Sequence, residues 1–244
     1  MLRPALSFAF AASLALAAHA RADDAPASVR YQLGLLSRGP TWTPEKNAHT
    51  DSIQAGHMAN MGRMAAAGAL VAAGPFENGG DLRGLFVFAP DAVPLDSLLA
   101  VDPAITSGRL ECRLSTWVAP PGLGEEYRRR VAERGAAGEG RPDSMVSFRW
   151  VMLHRGKRYD SRPTPQVEKL IRKHFEYTEK LRADGMLVYA GAIEGTGDLR
   201  GVLVMQGDSA AVARAVSADP AVRAGRFAPS TVRWWTAWGT IPGH

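Results

Sequence analysis

Gly80-Asp81-Leu82-Arg83-Gly84 recurs unchanged as Gly197-Asp198-Leu199-Arg200-Gly201. The two stretches are 117 residues apart, and the same shift carries the flanking sequence onto itself without a gap. Arg38-Gly39 falls on Arg155-Gly156, His57 on His174, Ala73-Gly74 on Ala190-Gly191, Asp102-Pro103-Ala104 on Asp219-Pro220-Ala221, Gly108-Arg109 on Gly225-Arg226, and Trp117 on Trp234. Between residues 31–118 and 148–235, 24 positions are identical, where chance at average residue usage gives roughly six. The chain is one unit written twice.

Each copy reads as strand, helix, strand, strand, helix, strand. Tyr31 to Ser37 and Phe148 to His154 are expected first strands, followed by helices over about 51–67 and 164–184. Ala69 to Phe76 and Met186 to Ile193, then Leu82 to Ala89 and Leu199 to Gln206, are the middle strands. Asp91 and Asp208 suit the starts of second helices. Leu110 to Val118 and Phe227 to Trp238, rich in Thr and aromatics, close each copy. This order is the ferredoxin-like split βαβ pattern, and right-handed crossovers place both helices on one sheet face. The other face needs a partner. An α+β fold follows, with two βαββαβ units packed sheet to sheet about a pseudo-two-fold axis. Repeat 1 spans 27–119 and repeat 2 spans 146–240. The linker at 120–145 opens on Pro120, Pro121, Gly122 and Gly124, carries a short charged helix over Glu125 to Arg134, and closes on Gly135 to Pro142.

Composition narrows the function. The 244 residues are 46% apolar and 22% charged, with a net charge of +5 and no long block of like charge, which argues against nucleic acid as a partner. One cysteine, Cys112, excludes an internal disulfide and a cysteine-based zinc cage. Residues 1–22 read as a secretory signal. Arg3 precedes the apolar run Ala5 to Ala18, and Ala18-His19-Ala20 and Ala20-Arg21-Ala22 offer cleavage spacing. Such a run spans about 21 Å as a helix, short of a bilayer core of about 30 Å. The expectation is a periplasmic or secreted protein with no membrane attachment after cleavage. The mature chain carries 27 basic and 24 acidic residues once Arg3 and Arg21 are removed.

The topology gathers the repeated polar residues at one sheet edge. Arg38, Glu77, Asp81, Arg83, Asp102 and Arg109 fall there in copy one, and Arg155, Glu194, Asp198, Arg200, Asp219 and Arg226 in copy two. His57 shares a helix stripe with Ile53, Met61 and Met64, and His174 with Val167, Leu170, Ile171, Thr178 and Leu181, so both histidines face the sheet. Asp102 and Asp219, at the ends of the neighbouring helices, are the carboxylates placed to meet them. A carboxylate on one imidazole nitrogen fixes the tautomer and leaves the other nitrogen for proton transfer. A buried, hydrogen-bonded core histidine fits the same pattern, and the Asp-Pro pairs equally suit a helix stop. The arginines, with Asp81 and Asp198, are candidate ligand-binding residues for a small organic anion, since guanidinium pairs well with carboxylate. No metal or other cofactor is expected: His49, Asp51 and His57 lie close, but Gln166 and Glu168 break the pattern in copy two. Cys112 reads as a packed thiol, and Trp234, Trp235 and Trp238 as core, with Trp234 and Trp238 on one face.

The helix histidine, Gly68-x-Leu70-x-x-Ala73-Gly74, and Asp102-Pro103 with Gly108 five residues beyond the proline together resemble the YCII-related (YciI-like) family. The likeness covers about 30–119 and 146–238. It implies the dimeric α/β barrel fold and an active-site His/Asp pair, carried onto His57 with Asp102 and His174 with Asp219. Most members of that family are uncharacterised, and one branch is linked to degradation of chlorinated aromatics. The resemblance departs in three ways. Relatives are mostly single-unit homodimers, whereas this chain carries both units and is expected to be a monomer with an internal pseudo-dimer. The leader is a second departure. Ala190-Gly191-Ala192 is less family-like than Ala73-Gly74-Pro75. The implied activity is that of a small-molecule lyase or isomerase. The alternatives are a non-catalytic periplasmic ligand-binding or scaffold module, and a haem- or metal-binding relative of the same barrel.

Overall fold

The computed structural model describes residues 28–90, 92, 94–135 and 143–244. The leader read over residues 1–22, the helix start expected at Asp91 and most of the linker's expected close lie outside them. Copy one runs β1 (Val29–Arg38), α1 (Ala48–Ala66), β2 (Leu70–Glu77), β3 (Leu82–Phe88), α2 (Leu95–Leu99), α3 (Pro103–Thr106) and β4 (Leu110–Ala119). The linker contributes α4 (Glu125–Arg134). Copy two repeats the order as β5 (Met145–Arg155), α5 (Pro165–Ala183), β6 (Leu187–Ile193), β7 (Leu199–Met205), α6 (Ser209–Ala218), α7 (Pro220–Arg223) and β8 (Phe227–Ala237). Asn47 caps α1 by accepting from the amides of His49 and Thr50, and Thr164 caps α5 by accepting from Val167.

The two sheets do more than face each other. They join at their edges into one closed barrel, in the order β1-β3-β2-β8-β5-β7-β6-β4. The seams are short: Phe76 and Glu77 pair with Trp234 and Arg233, and Trp117 and Val118 pair with Ile193 and Ala192. The 117-residue shift turns the Phe76–Trp234 pair into the Ile193–Trp117 pair, so the pseudo-two-fold holds at the level of single residues. Closure gives each described strand a neighbour on both sides. Glycine is required at both seams. A Cβ on Gly74 would lie 1.8 Å from the Trp235 carbonyl oxygen, and one on Gly191 would lie 2.5 Å from that of Val118.

Alternation along the strands sorts the side chains. Trp150, Met152, Val202, Val204, Leu33, Leu85 and Val87 fill the barrel with Trp117, Trp234, Tyr31 and Tyr189. Eight strands leave an interior just wide enough for side chains to fill. The opposite strand faces carry the helices. Met64 of α1 packs with Leu36, Leu70, Phe86 and Phe88, and Leu181 of α5 packs with Val151, Leu153, Leu203 and Met205. The start of the linker docks on the end of copy two. The Gly124 and Tyr127 amides donate to the Thr240 and Gly239 carbonyls, and Leu123 and Ile241 join the barrel core.

Two sequence readings need correction. Asp102 and Asp219 do not simply close the second helices. Each is the N-cap of a separate four-residue helix, α3 or α7, whose first residue is the following proline. Proline suits that position because its missing N–H would have no helical partner there. Trp234 and Trp238 do not share a face. Trp234 is fully buried inside the barrel, whereas Trp238 lies beyond the end of β8 under the Arg130 guanidinium at 3.7 Å.

Candidate functional site

In copy one, α1 carries His57 towards the sheet, where its ring stacks on Phe86 at 5.7 Å. Nδ1 lies 2.9 and 3.0 Å from the two carboxylate oxygens of Asp102. Asp102 is fully buried and also accepts from Asn60 Nδ2 at 3.1 Å and from the Ala104 amide at 2.9 Å. Burial alone would raise its pKa. The donors from His57, Asn60 and Ala104 outweigh that and hold it below the ordinary aspartate value. An ionised carboxylate only accepts, so the His57 proton sits on Nδ1 and Nε2 carries the lone pair when the ring is neutral. Nε2 makes no hydrogen bond among the described residues.

Copy two repeats this with fewer supports. His174 Nδ1 lies 2.6 Å from Asp219 Oδ2, and the Ala221 amide donates to Oδ1 at 2.7 Å. Tyr177 stands where copy one has Asn60. It donates to the Ala215 carbonyl, as Asn60 does to that of Leu98, but not to the carboxylate. Both imidazoles are about nine-tenths buried, lying between helix and sheet and not inside the barrel.

The edge arginines converge on two aromatic rings that sequence reasoning missed. Arg38, Arg83 and Arg109 lie 3.9, 5.5 and 5.9 Å from the centre of the Trp42 ring. Arg155, Arg200 and Arg226 lie 4.8, 5.9 and 4.7 Å from that of Tyr159. The 117-residue shift carries Trp42 onto Tyr159, and that register was the signal available. Backbone bonds draw the edge together. Arg38 N donates to Asp81 O, and Gly39 N to Arg109 O, with the same bonds from Arg155 to Asp198 and from Gly156 to Arg226. A Cβ on Gly39 or Gly156 would lie 2.1 or 2.2 Å from the carbonyl of Gly108 or Gly225.

The two aspartates at this edge differ. Asp81 is exposed and 3.5 Å from Arg38. Asp198 is taken by His154 Nδ1 at 2.7 Å. Glu77 does not join the arginines at the edge but accepts from Trp235 Nε1 and Arg233 at the barrel seam. Glu194 pairs with Arg30. Cys112 packs against Gly34, and burial pushes its thiol up to about 12. A thiol reagent at neutral pH is expected to leave Cys112 unmodified until denaturant is added, which a simple colorimetric titration checks.

Among the described residues, no three His, Cys, Asp or Glu side chains are grouped to hold a metal ion, so His49, Asp51 and His57 do not form one. Two cavities, of about 340 Å³ beside Glu77, Arg149 and Arg233 and about 490 Å³ beside Cys112 and Arg113, are lined by neither histidine of the pairs. No described helix is long and apolar enough to cross a membrane.

The family model for the YCII-related domain matches residues 148–236. That segment, copy two, is similar to the YCII-related family. Copy one shares its architecture strand for strand, and the whole chain adopts the dimeric α/β barrel with two βαββαβ units in one polypeptide. A candidate chlorite dismutase of known structure aligns over 87% of this chain and 97% of its own, with 15% identity and a TM-score of 0.54. A heme-binding protein from Thermus thermophilus aligns over 87% of this chain and 93% of its own, with 15% identity and a TM-score of 0.49. The first likeness is one of fold. No curated protein matches the sequence. Each Nδ1 is held by an aspartate, which leaves Nε2 as the free nitrogen, and each ring packs against a phenylalanine.

Proposed function

We propose that this YCII-related protein carries out proton-transfer chemistry on a small organic molecule, as a lyase or isomerase. His57 is the acid–base group, and Asp102 orients it. The observation that carries this reading is the buried His57–Asp102 contact, made again by His174 and Asp219 in a copy that has diverged at most other positions. Asp102 fixes the Nδ1 tautomer, and Nε2 accepts a proton from the substrate carbon. In an isomerisation the same nitrogen returns the proton to a neighbouring atom. In an elimination the electron pair of the broken C–H bond forms the double bond as the leaving group departs with its electrons. His174 and Asp219 would form a second, less buttressed pair.

The test is hydrogen–deuterium exchange into a panel of small carboxylic acids in D2O, followed by NMR. The wild type is expected to label one class of substrate, and the His57→Gln/His174→Gln double variant to label none. Gln keeps an N–H that can reach the aspartate, so the thermal midpoint should barely move. Undiminished exchange in the double variant would refute the reading. A second reading, a non-catalytic binding or scaffold module, is favoured by the burial of both rings and by their absence from the two cavities. It requires the wild type to label no member of the panel.

Export is part of the proposal and rests on Arg3 and the apolar run from Ala5 to Ala18. N-terminal sequencing of the periplasmic protein should begin near Asp23. The proposed state is a monomer, because both sheets close within one chain. Light scattering at the mass of two chains would contradict it.

A further inference from the structure

The three-arginine clusters invite a question of charge balance. Guanidinium groups that converge on one ring repel each other, and a cation–π contact returns only about 0.5–2 kcal/mol. In copy one the repulsion is relieved. Arg38 has the Asp81 carboxylate, and Arg109 donates to the carbonyl and hydroxyl of Thr43 at 2.8 and 3.3 Å.

Copy two keeps the carbonyl bond, from Arg226 to Asp160, but has lost the carboxylate partner. Where copy one has Ser37, copy two has His154, which holds Asp198 and hydrogen-bonds Ser230 at 3.0 Å. Asp160 is the other acid beside the cluster. Its carboxylate is held by the Arg162 side chain and amide, at 2.9 to 3.2 Å. Among the described residues no carboxylate pairs with Arg155, Arg200 or Arg226. Arg200 donates to the Gly195 carbonyl. Arg226 is only 6% exposed and donates one hydrogen bond, from Nη1 to the Asp160 carbonyl at 2.7 Å. Its Nε–H is buried with no acceptor. Burial holds its pKa below the ordinary arginine value; Tyr159 and Asp160 oppose that, and the Arg200 charge adds to it in smaller measure. A buried guanidinium with so few of its five donors satisfied is costly unless something else supplies acceptors.

We propose that the Arg155–Arg200–Arg226 cluster around Tyr159 is a receptor for the oxyanion group of a small molecule, and that the copy-one cluster around Trp42 is its weaker, internally neutralised counterpart. An oxyanion brings two or more acceptor oxygens and a negative charge, which are what Arg226 and its neighbours lack. A carboxylate and a phosphate share this chemistry. The site stands on the arginines and does not require proton transfer at the histidines.

The probes are inorganic phosphate and acetate, titrated into the full-length protein at constant ionic strength, with chloride as the control. The readout is the arginine Nε–H region of a ¹H–¹⁵N spectrum. The Arg226 signal is assigned by its loss in Arg226→Lys or, if that variant does not fold, by its proximity to the Tyr159 ring. A saturable shift of that signal with phosphate, acetate or both is expected, and the stronger of the two identifies the headgroup. The exposed substitution Arg155→Gln should weaken binding about tenfold, the equivalent of 1.4 kcal/mol, whereas Arg129→Gln, on α4 and outside both clusters, should leave it unchanged. The His57→Gln/His174→Gln variant should bind as the wild type does, so loss of exchange chemistry and loss of anion binding are separable. The proposal fails if neither probe gives a saturable shift, if chloride matches them, or if Arg129→Gln weakens binding as much as Arg155→Gln.

Discussion

Trp150→Ala is expected to cost about 3–5 kcal/mol, the range for truncating a large buried aromatic. Against a typical domain stability of about 5–15 kcal/mol, that is a large share. Trp150 is fully buried in the barrel, with its ring centre 5.5 Å from Trp117, 5.2 Å from Trp234 and 6.3 Å from Phe76. These contacts reach β4, β8 and β2, three of the four strands that form the seams. The seams themselves hold by two residue pairs each, so they depend on the core behind them. Truncation therefore removes contacts from both copies at once. Trp150→Phe should cost much less. The Trp150 indole N–H has no acceptor among the described residues, so phenylalanine gives up volume but no hydrogen bond. Urea denaturation of the two variants measures both. An alanine variant as stable as the wild type would contradict a filled barrel. A phenylalanine variant as damaged as the alanine one would mean that a buried water holds the indole N–H.

Much of this was legible in the sequence, because strand alternation and the repeat are local signals. Leu33 and Trp150 occupy equivalent positions, and the same period-two reading sends both into the barrel. The helix stripe places His57 and His174 against the sheet, and the repeated Asp-Pro marks their partners. The barrel was implied by the family resemblance, but the residue pairs that close it were not legible in the strands themselves. Phe76 meets Trp234, and Trp117 meets Ile193, across copies, and no local pattern in either strand names the other. The role of Asp-Pro was ambiguous because an aspartate before proline can end one helix or begin the next: Asp102 begins α3, and Asp219 both ends α6 and begins α7. Trp42 and Tyr159 lie in loops without periodicity. Their importance comes from where three long arginine side chains end, which the backbone register does not determine. Asn60 was within reach, being three residues after His57 on the same helix face, but Tyr177 at the equivalent position hid its role.

The two histidine–aspartate pairs should respond to substitution in opposite orders. Removing the aspartate leaves its donors stranded. Asp102→Ala strands His57 Nδ1 and the Ala104 amide and strips Asn60 of one of its three acceptors, while Asp219→Ala strands His174 Nδ1 and the Ala221 amide. Each change also deletes a helix N-cap, worth about 1 kcal/mol. With about 1–3 kcal/mol for the unsatisfied buried groups, both should cost several kcal/mol, and Asp102→Ala the more. Removing the histidine reverses the order. Asp102 keeps Asn60 and Ala104, whereas Asp219 keeps only Ala221, so His174→Ala should destabilise more than His57→Ala. The pH dependence has a definite sign. Asp102 has a lowered pKa in the fold, so its contribution is complete above the unfolded aspartate value of about 3.9 and disappears as pH falls through the folded value. Asp102→Asn should accordingly be less stable than the wild type at neutral pH and approach it in acid. Chemical denaturation of the four alanine variants at pH 7, and of Asp102→Asn across the acid range, tests the pattern. Equal losses for both histidine variants would mean that Asn60 adds nothing to the first pair.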